Sequence, residues 1–337
     1  MILAGDIGGT KTHLALFRKM NGGLARVRGK IFPSREYAGL EAVIRKFLPT
    51  RKTAIDCACF GVAGPVLDGR CETTNLPWTI DAEPIAKTFG IPGVFLLNDL
   101  EATAYGSLFL TDEDFHTLNP GRPQPHGNRA VIAAGTGLGE AVLFWDGGGY
   151  RASASEGGHT DFGPRGPIEI QLLEYLLKRF PHVSYERIVS GPGLLNIYQF
   201  MKDTGRVEEP EWLPGKMAVE DPAAVITEAA LAGWSEICVK TVDLFVSIYG
   251  AEAGNLALKS LATGGVSLGG GIAPRIITKL LDGQFMKAFA DKGRYASLLS
   301  PIPVRIILNE TVGLLGAAWY AFNAFLPNRK TKRRRLI

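Results

Sequence analysis

One pattern occurs twice in this chain and limits what it can become: an apolar strand, a glycine loop, and a second strand that follows at once. Ile2-Leu3-Ala4 leads into Gly5-Asp6-Ile7-Gly8-Gly9-Thr10-Lys11-Thr12, after which His13 to Phe17 reads as a strand. Some 130 residues on, Ala130 to Ala134 leads into Gly135-Thr136-Gly137-Leu138-Gly139, and Ala141 to Phe144 is again a strand. Glycine in such loops lets backbone N–H groups come close to a phosphate. Neither loop is one of the two common nucleotide motifs. The first has Thr10 where a P-loop needs its last glycine, and no helix follows it. The second lacks the G-x-G-x-x-G spacing. One hairpin in each of two halves instead suits a phosphate held in a cleft between them, while a plain tight turn is the competing reading of either loop alone.

The length of 337 residues exceeds the ~250–300 at which single cores stop growing, so two domains are expected. Glu41 to Leu48 has helical spacing, Ala54 to Val62 reads as a buried strand, Ile80 to Phe89 as a helix, and Val94 to Leu97 as a short strand running into Asn98-Asp99. This alternation predicts an α/β unit. The Pro- and Gly-rich stretch Leu118 to Asn128 is the best candidate for a joint. Later segments read as helices over Ile168 to Arg179, Leu194 to Met201, Ala223 to Tyr249 and Ile272 to Leu281, then a strand over Val304 to Leu308 and a last helix over Gly313 to Phe325. The expected division is a small α/β domain of residues 1–110 plus 308–328, a large α+β domain of 111–307, and a disordered basic tail of 329–337.

Several groups suit chemistry. Asp6 is the one acid in the first loop, where it would repel phosphate unless a Mg²⁺ held largely through water lay between; acceptance of its own loop's N–H groups is the alternative. Asn98-Asp99 stands at the end of a strand, where α/β sheets present groups to ligands, and a carboxylate there can take the proton of an attacking hydroxyl. The competing reading is a helix N-cap before Leu100. Ser155-Glu156-Gly157-Gly158-His159 offers donors and acceptors that can read a sugar's hydroxyls, against a hydrogen bond internal to the loop. Gly264 to Ile272, with Gly269-Gly270-Gly271, precedes a helix and permits close approach of a base or ribose, or is a turn.

Composition excludes other classes. The net charge of +4 rests on six basic residues among the last nine (Arg329, Lys330, Lys332, Arg333, Arg334 and Arg335), which leaves −2 for the rest and no general pull on nucleic acid. Cys57, Cys59, Cys71 and Cys238 show no disulfide or metal spacing; Cys57 and Cys59 share one strand face and read as small buried hydrophobes. The first residues enter a strand without a signal-like segment, and no window reaches the ~20 apolar residues that span a bilayer. A cytoplasmic protein without membrane or nucleic-acid partners is expected.

Taken together, these segments resemble the bacterial-type glucokinases of the hexokinase, Hsp70 and actin superfamily, in order and nearly end to end. Gly5-Asp6-Ile7-Gly8-Gly9-Thr10 looks like that family's first phosphate loop, and Thr74-Asn75-Leu76-Pro77-Trp78 resembles the segment after its first-domain core. Asn98-Asp99 matches its sugar-binding and catalytic pair, Thr136-Gly137 lies in the second phosphate loop, and Glu156 and His159 stand in the sugar-binding loop. Glu186 matches a sugar-contacting acid, and Gly269-Gly270-Gly271 the adenosine region. The resemblance implies a two-domain actin-like ATPase (ribonuclease H-like) fold with an interdomain cleft, ATP and Mg²⁺ as cosubstrates, glucose as acceptor and a homodimer. Asp99 would be the base. Kinases for another hexose and a non-enzymatic sugar-responsive regulator are the alternatives. Lys11, where Asn is common, and the basic tail depart from the pattern. The related branch with a Cys-rich zinc loop is disfavoured, since no cysteine lies between Cys71 and Cys238.

Overall fold

The computed structural model describes residues 1–20, 23–48 and 54–334, the last of these from 326 on as backbone only. The described chain forms two compact units: Met1–Thr111 with Tyr150–Ala154 and the chain from Asn309 on, and Asp112–Gly149 with Ser155–Leu308.

In the first unit, strand alternation sends alternate side chains to opposite faces of a five-stranded sheet. Its strands are β1 (Ile2–Ile7), β2 (Lys11–Met20), β3 (Gly23–Pro33), β4 (Cys57–Val62) and, after the small sheet of β5 (Val66–Leu67), β6 (Arg70–Glu72) and β7 (Thr79–Asp81), β8 (Val94–Asn98), in the order β3-β2-β1-β4-β8. Leu3, Ile7, Leu14, Leu16, Phe60 and Val62 pack on one side with Val43, Ile44 and Phe47 of α1 (Leu40–Phe47) and Ile85 of α2 (Ala82–Phe89). Ile2, Ala4, Ala15, Phe17, Cys57 and Cys59 face the other side, against Ala102 of α3 (Asp99–Ser107) and Leu314, Ala317, Ala318 and Ala321 of the last helix, Val312–Arg334. The two cysteines are thus packing residues, and burial holds the Cys59 thiol well above its ordinary pKa. The last helix and α3 approach backbone to backbone: a Cβ on Gly106 would strike Val312 O, and one on Gly316 would strike Ala102 O.

The second unit is built on β9 (Phe115–Asn119), β10 (Arg129–Ala134), β11 (Leu138–Trp145), β13 (Gly265–Gly269) and β14 (Val304–Ile307), in the order β11-β10-β13-β14-β9, while β12 (Tyr150–Ser155) falls almost wholly in the segment counted with the first unit. Its helices include α4 (Pro167–Leu177), α5 (Gly191–Asp203), α6 (Trp212–Val219), α7 (Pro222–Leu231) and the long α8 (Glu236–Ser260), which is buried along most of its length.

Four expectations need correction. The strand β3 has no counterpart in the sequence reading, because as an edge strand it buries only Phe32 and carries no apolar alternation. Ile80 belongs to β7; Asp81 is the N-cap of α2, accepting from Glu83 N. The helix expected over Ala223 to Tyr249 is two, parted where Gly233 takes φ 70° and Trp234 N bonds back to Ala229 O. The stretch Leu118 to Asn128, read as loop or joint, is strand in its first two residues, the end of Phe115–Asn119. Of the tail expected to be disordered over 329–337, residues 329–334 continue the backbone of the last helix, Val312–Arg334, and 335–337 lie outside the described residues.

Candidate active site

In the first unit the chemistry gathers at one end of three parallel strands. Ile7, Val62 and Asn98 stand side by side at the carboxyl ends of β1, β4 and β8, so the turn after β1 and the start of α3 share an edge. Gly5 is inside β1, where a Cβ would strike Phe60 and Leu14, and the side chain of Ile7 is in the core. The turn proper is Gly8-Gly9-Thr10, closed by Gly8 N to Lys11 O at 2.9 Å. Ser34 holds it from beneath through Oγ to Gly8 O and N to Thr10 O. Gly9 lies against Asn75 so tightly that a Cβ would meet Asn75 Cβ at 2.6 Å, which gives the Thr74-to-Trp78 segment its place.

Asn98 is the N-cap of α3: its Oδ1 accepts from Leu100 N (2.9 Å) and Glu101 N (3.4 Å), and its Nδ2 donates to Gly64 O (3.1 Å). Glu101 stands at the third helical position, where a capping box places its acid, and burial pushes its carboxyl up to about 7 with the Asn98 backbone N–H opposing. The helix-cap reading therefore holds for Asn98, and the cap fixes Asp99 as the first residue of the helix, with Oδ1 2.9 Å from Leu100 N. Asp6 is partly buried, and loss of water pushes its carboxyl up to about 6. Gly313, in the first turn of the last helix, and Thr103 are its neighbours; a Cβ on Gly313 would lie 3.5 Å from Asp6 Oδ2 and from Thr103 Oγ1. Neither residue was evident from sequence, since nothing local marks them.

In the second unit the segments expected to bind phosphate and sugar meet on one acid. Glu186 Oε2 accepts from Leu138 N at 3.0 Å and stands 4.0 Å from His159 Nε2, and a Cβ on Gly137 would collide with it. The Gly157–His159 turn sits on β11, where Gly158 leaves room for Leu138 O and Gly157 for Glu140. Both glycines of that loop are thus packing necessities. Glu156 and His159 are exposed beside it. Gly269 ends β13 within the sheet, and Gly270 takes φ 78° with a Cβ that would strike Ala134 O.

Beside the second glycine loop opens a cavity of about 720 Å³, bordered by Gly135, Thr136, Leu195, Asp221, Gly271 and Arg275. Gly191 N bonds Gly135 O (2.8 Å), so the N-terminal, positive end of α5 abuts the loop, with Ser190 as cap. Mostly apolar walls beside a phosphate loop and a helix N-terminus suit a nucleoside phosphate. Another cavity, of about 680 Å³ near Tyr175 and Tyr198, borders neither loop. Asp221-Pro222 carried a legible cap-and-proline helix start, whereas Arg275 had no local signal.

Two strand–glycine loop–strand units, acids beside them and a cavity at the second loop fit a sugar kinase of the actin-like ATPase fold. The glucokinase family model matches residues 3–324. A glucokinase of Nostoc punctiforme is 43% identical over 333 residues, covering 94% of this chain and 98% of the relative. The chain belongs to the glucokinase family. Its fold is similar to the crystal structure of a glucokinase from an Antarctic psychrotroph (31% identity, TM-score 0.84, 96% and 98% of the two chains). It is also similar, in fold alone, to a ROK family glucokinase of Streptomyces griseus in complex with glucose and AMPPNP (21% identity, TM-score 0.65, 96% and 99%).

Proposed function

We propose that this chain transfers the terminal phosphoryl group of ATP to the 6-hydroxyl of glucose. Family membership supports the reaction, and one observation carries it at the site: the Glu186 carboxylate touches both the backbone of the second phosphate loop and the neighbourhood of His159. A group that reads a sugar hydroxyl and is tied to the phosphate loop aligns acceptor with donor.

In the transfer, Asp99 takes the proton of the 6-hydroxyl as its oxygen bonds to the γ-phosphorus, and the bond to the β-phosphate oxygen breaks to release ADP. Asn98 sets the place of Asp99, and its second amide hydrogen reaches the sugar. Glu156, His159 and Glu186 bind the ring, Gly8 to Thr10 and Thr136-Gly137 take the phosphates, and Gly269-Gly270 border the adenosine. A Mg²⁺ suits Asp6, a carboxylate short of water whose charge a cation would offset. Among the described residues no three His, Cys, Asp or Glu side chains form a metal cage, so the ion would arrive with ATP and keep most of its waters. When bound it neutralises charge on the phosphates. The family resemblance further supports a homodimer in the cytoplasm. Purified protein given Mg·ATP and a panel of hexoses tests the reading: glucose 6-phosphate should form fastest, and no sugar-dependent ADP release would reject it.

A further inference from the structure

Beneath the turn that carries Glu156 and His159 lies an acid the transfer does not use. Glu140, on β11, is 2% exposed, and Glu252, on α8, is fully buried. Glu252 faces Glu140 closely enough for its charge to oppose the ionisation of Glu140. The donors nearby go to Glu252: Asn255 Nδ2 at 2.7 Å and Lys259 Nζ at 3.4 Å. Asn255 also donates to Tyr185 Oη (3.0 Å) and accepts from Lys292 Nζ (2.6 Å). The network thus underlies both the Gly157–His159 turn and the Tyr185–Arg187 turn that bears Glu186. Glu140 itself presses its Oε2 on Gly157, while its Oε1 is buried with no partner among the described residues.

Two like charges this close and this dry do not both ionise. Because Glu252 takes the donors, Glu140 is the one to keep a proton, and that proton turns an oxygen without a partner into a donor. Burial first, then the charge of Glu252, push Glu140 up to about 8, with Lys259 opposing. The other groups facing the pair are Tyr249, raised by burial with Glu140 contributing, Tyr185, pushed up to about 12 by burial and then by Glu252, and Lys292, lowered by burial and by Arg165.

We propose that Glu140 is a positioning residue for sugar binding: protonated and facing Glu252, it supports the Gly157–His159 turn, and its ionisation withdraws that support. The inference rests on reading that turn as sugar-binding. In the folded chain Glu140 keeps its proton below about 8 and loses it above, so the loss of support for the turn falls on the alkaline side.

Calorimetric titration of the whole protein with glucose, and separately with ATP, from pH 7 to 9.5 tests this. The glucose Kd should rise above pH 8 by up to about tenfold per pH unit, the limit for one proton, while the ATP Kd stays nearly constant. Glu140→Gln keeps a donor and cannot ionise, so its glucose Kd should stay level across the range. A level glucose Kd in the parent, a parallel loss of ATP affinity, or an unchanged alkaline rise in Glu140→Gln overturns the inference. Should that variant not fold, the parent's two profiles decide alone. No glucose binding at pH 7 overturns the sugar-kinase reading along with it, whereas the other outcomes leave that reading intact.

Discussion

The two glycine hairpins are alike in backbone and unlike in what holds them. Each joins an antiparallel pair, β1 with β2 and β10 with β11, and in each the first strand has a parallel neighbour, β4 or β13. The first is clamped by neutral groups, Ser34 from beneath and Asn75 against Gly9, with one desolvated acid, Asp6, before the turn. The second is held by an acid, Glu186, whose other neighbour is His159, the residue proposed to bind sugar. The same local geometry is therefore held in two ways: rigidly by neutral packing in one unit, and through a carboxylate shared with the His159 turn in the other.

The comparison breaks most decisively at the base. Asp99→Asn keeps the hydrogen bond to Leu100 N but cannot accept a proton, and turnover at saturating substrates should fall by roughly 10² to 10⁴. Near-normal turnover would reduce Asp99 to a helix-start residue.

Next in size is the coupling acid. Glu186→Ala leaves the Leu138 N–H without its carboxylate, a loss of about 1–3 kcal/mol, so KM should rise roughly 5- to 150-fold for both glucose and ATP. Glu156→Ala should raise KM for glucose alone. If Glu186→Ala spares ATP, the link through Leu138 is idle and the two hairpins differ less than described.

The clamps themselves can be tested by one methyl group each. A Cβ on Gly9 meets the base of Asn75, which cannot swing away, whereas one on Gly137 meets the far end of Glu186, which can. Gly9→Ala should lower Tm by several degrees, as a cost of about 1–3 kcal/mol implies. Gly137→Ala should leave Tm close to the parent's and raise KM for glucose. Equal shifts in Tm would erase the distinction between a rigid and a coupled loop.

The smallest expected effect concerns Asp6. Its carboxyl lies at about 6 in the folded chain against an ordinary 3.8, so the stability it contributes is complete below pH 3.8 and is lost as pH rises to about 6. The Tm of the parent should decline across that interval more than that of Asp6→Asn, and Mg·ATP should restore more of it in the parent. Identical profiles would remove Asp6 from the metal.

Much of the fold was legible because strand and helix periodicities are local. The strands β1, β4, β8, β10 and β14 and the helices α1, α4 and α5 stand within a few residues of their expected places. Failures fell where pairing or a single backbone angle decides: β3, which exists by hydrogen-bonding to β2, and the break at Gly233. At the candidate site, residue types in a recognisable order were legible, while the packing reasons were not. Nothing in Gly157 announces Glu140, and nothing in Gly9 announces Asn75.

The sequence by itself determined the class of protein: two strand–glycine loop–strand units, acids at strand ends and an ordered series of motifs that the glucokinase family shares, all properties of neighbours along the chain. Only the tertiary structure decided which glycines are forced by packing, that Asn98 is the cap that places Asp99, and that Glu186 joins loop to loop while Glu140 lies beneath. Those facts depend on distances between residues dozens of positions apart, and contact and desolvation act through space, where no local pattern records them.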